Sequence, residues 1–451
     1  MRSLRLASFG IRGLVGESLT PGVVIDFASA FATYAEAGTI LVGRDTRISS
    51  PMLHSSVVSG LLACGCQVLD LGICPTPLLQ YSVARYAAAG AISITGGHTR
   101  AGFNALTLLS RSGSYIEPAG GETVLEIYHA RDFGLREWNR LGQLEPVDDF
   151  ADPYFAALEA HLDAESIRKA ELTVVVDAVN GAACRYLPMF AERLGLNLLP
   201  INGDESGYLA HDPEPRPRNA RQVASTIGYV GADIGFLTSS DAGRLAIVSD
   251  TAETASEEYT LAVIADHVLA RKPGVVVTNC CTSRAVDDIA RTHGCRVVKT
   301  PVGQAFVMSA VADEDAVLGG EGNGSVGDPA FSPAFDAFLM MGLVLEAVAR
   351  TGKTASELLR GFNRYHMVKK QVHAEPRRGY RALAELEHRE EWLAGACIDT
   401  TDGLRADWDE GWVHVRSSRT EPVIRIISEA VARERAEERA VRLVRLLEQE
   451  L

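Results

Sequence analysis

From Leu14 to Asp70, helix-like segments alternate with short apolar runs, Thr39 to Gly43 and Cys66 to Leu71. Each run has strand length and is followed by a helical pattern, so the chain must return across the sheet before the next strand begins. That is the signature of βαβ units around a largely parallel sheet. The pattern returns at Leu172 to Ala183, where a buried strand ends in a polar turn and leads into a helix. A chain of 451 residues exceeds what one core holds and predicts several domains. The expected boundaries are 1–148, 149–248, 249–364 and 365–451, with the charged stretch 131–152 joining the first to the second. The last unit reads as α+β, with a strand-like pair at Leu404 to Trp408 and Gly411 to Val415 and an amphipathic final helix from Glu429 to Leu451.

A formal charge of -14 argues against nucleic acid as a main partner, although acidic proteins bind phosphorylated metabolites through local basic pockets. The N-terminal residues lack a signal-peptide core, and no long window is continuously apolar, so a cytoplasmic protein with no membrane partner is expected. The eight cysteines include the close pairs Cys64/Cys66 and Cys280/Cys281 but no Cys-x-x-Cys. Reduced, mostly buried thiols are expected, and a metal cluster is not.

Several loops carry chemistry. Ile94 to Asn104 packs glycines, a histidine, an arginine and hydroxyls directly after an apolar run, the composition of a loop that approaches a ligand closely. Gly43 to Pro51 places two arginines, Asp45 and hydroxyls after a strand, where a structural ion-pair network competes with ligand contact. Asn180-Gly181 is good turn chemistry and reads as structural. Three prolines stiffen Asp212 to Asn219 against helix or central strand. Arg416 to Arg425 collects arginines, serines and a threonine around a turn held by Pro422, apt for a phosphate dianion.

Taken together, these segments resemble the α-D-phosphohexomutases. Ser8 to Gly13 is similar to that family's N-terminal loop, Gly43 to Arg47 to its next motif and Gly72 to Pro77 to the one after. Thr95, His98 and Asn104 match its phosphoserine loop, Thr300 to Gln304 its Thr-x-Val-Gly loop and Gly319 to Gly324 its sugar-recognition loop. Arg416 to Arg425 resembles its phosphate-binding loop. The resemblance implies three α/β domains with mixed sheets plus a C-terminal α+β domain around a central cleft. It implies phosphate binding at Arg416, Ser418, Arg419, Thr420 and Arg425. It implies substrate contacts at Glu321, Asn323, Arg244, Thr300 and Gly303, and places Arg12 and His98 in the cleft.

Two departures stand out. The family's phosphoserine falls on Gly97, which has nothing to phosphorylate. Of three Mg²⁺-binding aspartates, counted back from Arg244, only Asp241 remains; Ser239 and Gly243 take the other places. Both losses concern one device, the stabilisation of charge during phosphoryl transfer. Three functions therefore stay open: a metal-independent enzyme acting on the skeleton or hydroxyls of a hexose or hexosamine phosphate, a sugar-phosphate sensor or regulator without turnover, and a residual phosphomutase. Survival of His98, Arg12 and the phosphate loop favours the first, with His98 as acid and base beside Asp241 or Glu321. That reading expects no cofactor, Mg²⁺ entering only with the mutase through Asp241, and a small phosphosugar as partner; a homodimer is left open.

Overall fold

The structure is a computed structural model that describes residues 4–7, 9–362, 364–388, 390–418 and 422–451. The chain clusters into two compact units, one of residues 1–267 with 323–358 and the other of 268–322 with 359–451. Among the described residues, no helix is long and apolar enough to cross a membrane.

The first unit opens with strands β1 (Arg5–Ala7), β2 (Gly10–Leu14), β3 (Thr39–Arg44), β4 (Gln67–Ile73), β5 (Gly90–Ile94), β6 (Phe103–Leu109) and β7 (Gln143–Pro146). They form one sheet in the order β1-β2-β6-β5-β3-β4-β7. β3 pairs in parallel with β4 and β5, whereas β6 runs antiparallel to β5 and β2. The sheet is mixed because the loop after β5 returns the chain directly into β6 instead of through a helix. Helices Pro21–Tyr34 and Ser50–Ala63 pack on it, burying Phe27, Phe31, Val57 and Leu61 against Ile40, Val42 and Ile92. The charged 131–152 stretch is more than a linker, since β7 lies within it and pairs in parallel with β4.

A second sheet of this unit contains β8 (Thr173–Asp177), β9 (Asn197–Ile201), β10 (Ile234–Thr238) and β11 (Leu245–Ser249), ordered β11-β10-β8-β9. Asn180 adopts a left-handed φ of 57° in the turn after β8. Its amide donates to the Tyr208 carbonyl and its oxygen accepts from Asp204 N, which is a structural role.

Helix Ala337–Thr351 belongs to the same unit and is capped by Asp336, whose Oδ1 accepts from the backbone N–H of Phe338 and Leu339. Tyr154 Oη donates to its Oδ2 at 2.5 Å. Burial lifts this carboxyl from its ordinary 3.8 to about 6, although all three hydrogen bonds pull the other way. Because the folded value lies above the unfolded one, the proton favours the fold: that stabilisation is complete below about pH 4 and is lost as pH rises through about 6. Asp336→Asn keeps the cap without the charge. It is expected to flatten the stability profile between those pH values and to stabilise the fold by up to about 3 kcal/mol at pH 7, measured by chemical denaturation.

In the second unit, β12 (Val276–Asn279) pairs in parallel with β13 (Val297–Thr300) and β14 (Leu318–Glu321). The chain then passes through β15 (Ser325–Gly327) in the first unit. The remaining strands, β16 (His366–His373), β17 (Cys397–Asp399), β18 (Leu404–Trp408), β19 (Gly411–Ser417) and β20 (Val423–Ala430), form an antiparallel sheet ordered β16-β20-β19-β18-β17. The expected pair is present, with Leu404 opposite Val415 and Trp408 opposite Gly411. The final helix runs Arg433–Glu450. Glu429 and Ala430, expected at its start, close β20 instead, because the alternating apolar run from Val423 carries the strand through them.

Candidate active site

In the first unit the loop after β5 is held from below by one buried ion pair. Asp45 and Arg47, each 1% exposed, meet at 3.0 Å. Asp45 also accepts from Arg47 N at 3.1 Å, Ser50 Oγ at 2.6 Å and Thr95 Oγ1 at 2.7 Å. The Arg47 guanidinium donates to the carbonyls of Gly97, Thr99 and Arg100. Arg47 thus fixes the backbone on both sides of His98, and the arginine-rich segment is structural here. Arg44 stays outside the carboxylate cluster, donating to the Asp45 carbonyl. Asn104, fully buried, donates to Ser49 and Ser50 and locks the loop's far end.

Gly97 has φ +53°, and its N–H donates to Thr95 Oγ1. A Cβ built there would stand 2.9 Å from Asp241 Oδ2. Position 97 therefore faces Asp241, although 144 residues separate them in sequence (241 − 97). Asp241 Oδ1 accepts from Ser239 Oγ at 2.6 Å and Gly243 N at 3.2 Å, while Oδ2 accepts no hydrogen bond among the described residues. Ser240 points away, donating to Gly97 O and Asp45 Oδ2, so it does not join Asp241 around an ion. Arg244 lies 3.7 Å from Glu214 of the proline-stiffened loop. Arg12 sits on β2 opposite Ala105, His98 is half-buried, and Asn323 lies in the segment leading into β15.

The second unit holds the other expected contacts. Glu321, at the end of β14 and 5% exposed, accepts on Oε1 from Asn279 Nδ2 at 2.6 Å and Gly303 N at 2.9 Å. Those bonds fix the carboxylate's orientation, the condition for reading sugar hydroxyls selectively. Thr300 turns its hydroxyl to the carbonyls of Pro301 and Thr278, so its role is in loop geometry. Asn279, which the sequence pattern did not single out, also accepts from Cys281 N and Thr282 Oγ1 and so ties the turn after β12 to the end of β14.

On the last sheet Arg416 of β19 stands directly opposite Arg425 of β20. Cross-strand partners project to the same face, and like charges so placed repel unless an anion lies between them. Arg416 Nε is buried and has no hydrogen-bond partner among the described residues. Ser418 follows, its N–H donating to Val423 O at 2.8 Å. Arg419 and Thr420 lie outside the described residues.

Residues 6–134, 152–252 and 256–365 match the phosphoglucomutase/phosphomannomutase alpha/beta/alpha domains I, II and III, and 369–446 match the C-terminal domain of the same family. A phosphoglucomutase/phosphomannomutase of Thermococcus kodakarensis is 35% identical over 453 residues, covering 98% of each chain. The chain belongs to the phosphoglucomutase/phosphomannomutase family. It has the four-domain phosphohexomutase architecture, and a Burkholderia thailandensis family member superposes with a TM-score of 0.85 at 24% identity, covering 99% of this chain and 98% of that one. An Aspergillus fumigatus N-acetylphosphoglucosamine mutase, solved in complex with GlcNAc-6P and magnesium, superposes with a TM-score of 0.59 at 15% identity, covering 94% of this chain and 96% of that one.

Membership of this family overturns one expectation. Phosphohexomutase relatives are Mg²⁺-dependent, so the reading without a cofactor is corrected. The loss of two carboxylates suggested metal independence because it counted protein ligands alone. Mg²⁺ is commonly held by one or two carboxylates, with phosphate oxygens and water in the remaining positions. Asp241, with Oδ2 directed toward position 97, fits that mode as a single-carboxylate ligand.

Proposed function

We propose that this chain is an Mg²⁺-using enzyme of a hexose or hexosamine phosphate that works on the sugar without a phosphoserine. The observation that carries this is Gly97. At the position facing Asp241 there is no side chain to accept a phosphoryl group, while the anion-binding and acid/base groups persist.

Arg416 and Arg425 neutralise the ligand phosphate, with Ser418 supplying a further donor. In the second unit Glu321 accepts from sugar hydroxyls beside the Gly303 backbone; in the first, Asn323 and Arg244 are assigned substrate contacts. Asp241 would hold Mg²⁺, which supplies charge neutralisation when bound. His98, on a loop immobilised by Arg47, moves the proton in an isomerisation, epimerisation or elimination, and Arg12 stabilises the charge that develops.

A second reading has its own support. The approach of Asp241 Oδ2 to position 97 and the 35% identity to a mutase favour phosphate exchange with a bound sugar bisphosphate.

Hexose and hexosamine 1- and 6-phosphates, screened with and without Mg²⁺, are expected to raise the melting temperature and to change slowly in proton NMR. His98→Ala abolishes that change and keeps binding, whereas Arg416→Ala weakens binding about tenfold to a hundredfold, the worth of a charge-assisted contact. Migration of the phosphorus signal between positions would instead establish the mutase. Equal binding by wild type and Arg416→Ala would remove the phosphate site.

A further inference from the structure

In the second unit, three side chains that the sugar-phosphate reading leaves unused converge from positions up to 134 residues apart. Cys280 and Cys281 follow β12, and His414 lies in β19. Cys281 Sγ is 3.1 Å from His414 Nδ1, and Cys280 Sγ is 3.6 Å from His414 Nε2. One ligand atom from each of the three residues lies within 4.8 Å of the others. We propose that Cys280, Cys281 and His414 form a three-ligand site for a borderline-soft divalent cation of the Zn²⁺ class.

The chemistry and surroundings both fit. Two thiolates and an imidazole are the donor set that Zn²⁺ prefers over hard cations, and three protein ligands leave a fourth position for water or a small ligand. His414 Nε2 lies 2.6 Å from the Asp402 carbonyl. That bond fixes the tautomer with the proton on Nε2 and turns Nδ1 toward Cys281, the outer-shell arrangement usual for a metal-bound histidine. Ligands at zinc bond lengths in a tetrahedron stand roughly 3.5 Å apart, so Cys281 and His414 Nδ1 at 3.1 Å need little change, whereas Cys280, which lies nearer Nε2 at 3.6 Å, must swing toward Nδ1 to join them.

An arginine also braces the backbone that carries the first thiol. The Arg405 guanidinium donates to the Cys280 carbonyl, and Arg405 is itself held over the Trp412 ring at 4.2 Å and against Asp407. Cys280 and His414 are 2% and 1% exposed and so shielded from bulk water, while Cys281 is half-buried. The site lies against the sugar-reading shell, because Asn279 accepts from Cys281 N while donating to Glu321. A bound ion would therefore tighten the support of Glu321, through ligands that do not include Asp241.

The test uses the reduced full-length chain, stripped with chelator and titrated with Co²⁺ and then Zn²⁺. One equivalent of Co²⁺ is expected to give a thiolate-to-cobalt charge-transfer band, a readout specific to sulfur and blind to binding at Asp241. Zn²⁺ should displace it and raise the melting temperature. Cys280→Ser and Cys281→Ser should each weaken Zn²⁺ binding by at least about tenfold, whereas Cys295→Ser, in the same unit, should not. Absence of the band, its survival in both serine variants, or a Cys280–Cys281 disulfide that forms in preference to metal binding would overturn the site. Should a serine variant fail to fold, the wild-type melting temperature decides: no rise with Zn²⁺ overturns it equally.

Discussion

Gly97→Ser alone is expected to yield a less stable protein with no gain in phosphate transfer, while Gly97→Ser combined with Ser239→Asp and Gly243→Asp becomes an Mg²⁺-dependent phosphohexomutase. A serine at φ +53° bears the left-handed backbone cost of roughly 1–2 kcal/mol, and its Cβ displaces Asp241 Oδ2 from 2.9 Å. The displaced atom is the end of a side chain, so it can yield. Position 243 is open, since a Cβ there meets only the Asp241 carboxylate at 3.5 Å. At 239 a carboxylate replaces the hydroxyl that now donates to Asp241 Oδ1, setting two like charges side by side in a buried place. The triple variant should therefore be destabilised without Mg²⁺ and recover with it. Groups that act as one device are strongly non-additive, so each single change should leave phosphate transfer at the wild-type level while the triple raises it by about a hundredfold or more. Phosphorus NMR of a hexose 1-phosphate and the protein's mass after incubation with a sugar bisphosphate read both halves. A wild-type chain that moves phosphate as fast as the triple variant would show that the missing serine is not limiting.

The sheets and their order along the chain were legible because each strand is a short apolar run bounded by turn residues, and the βαβ alternation leaves few topologies. The motif loops were legible for the same local reason: Thr95, Asn104 and Asp241 stand at fixed spacings within single segments. What joins the loops was not. Arg47 reads as one of two arginines in a polar turn, and nothing nearby announces that it fastens carbonyls about fifty residues away or meets Ser240. Likewise Cys280 and His414 lie 134 residues apart, and long-range contacts bring them together, such as the packing against Cys280 of Arg405, the β18 residue opposite His414. The 131–152 stretch misled because β7 is exposed at every residue, so its strand carries no apolar signature. The start of the last helix misled for the opposite reason, since buried Glu429 sits in a strand, bonded to Trp412 Nε1. The metal expectation failed in a third way. A count of carboxylates in one loop cannot include oxygens that a ligand brings.

Arg47→Met should be the most damaging single change outside the reacting groups. It leaves Asp45 at 1% exposure with hydroxyl donors and one backbone N–H but without its cation, and breaking a buried pair from one side costs about 3–5 kcal/mol. The loss reaches the candidate active site directly, because the carbonyls of Gly97, Thr99 and Arg100 lose their shared donor and the loop around His98 loosens. Two signatures separate this from general damage. A buried pair is little screened, so the stability difference between wild type and variant should change little between low and high salt, whereas an exposed pair such as Lys169–Glu165 would weaken. Amide exchange should accelerate first in 94–104, ahead of the strands on either side. Chemical denaturation measures the first quantity and hydrogen-exchange mass spectrometry the second. A loss below about 1 kcal/mol, with loop exchange unchanged, would mean that Thr95, Ser50 and Ser240 hold the loop without Arg47, and that His98 owes its position to the hydroxyls alone.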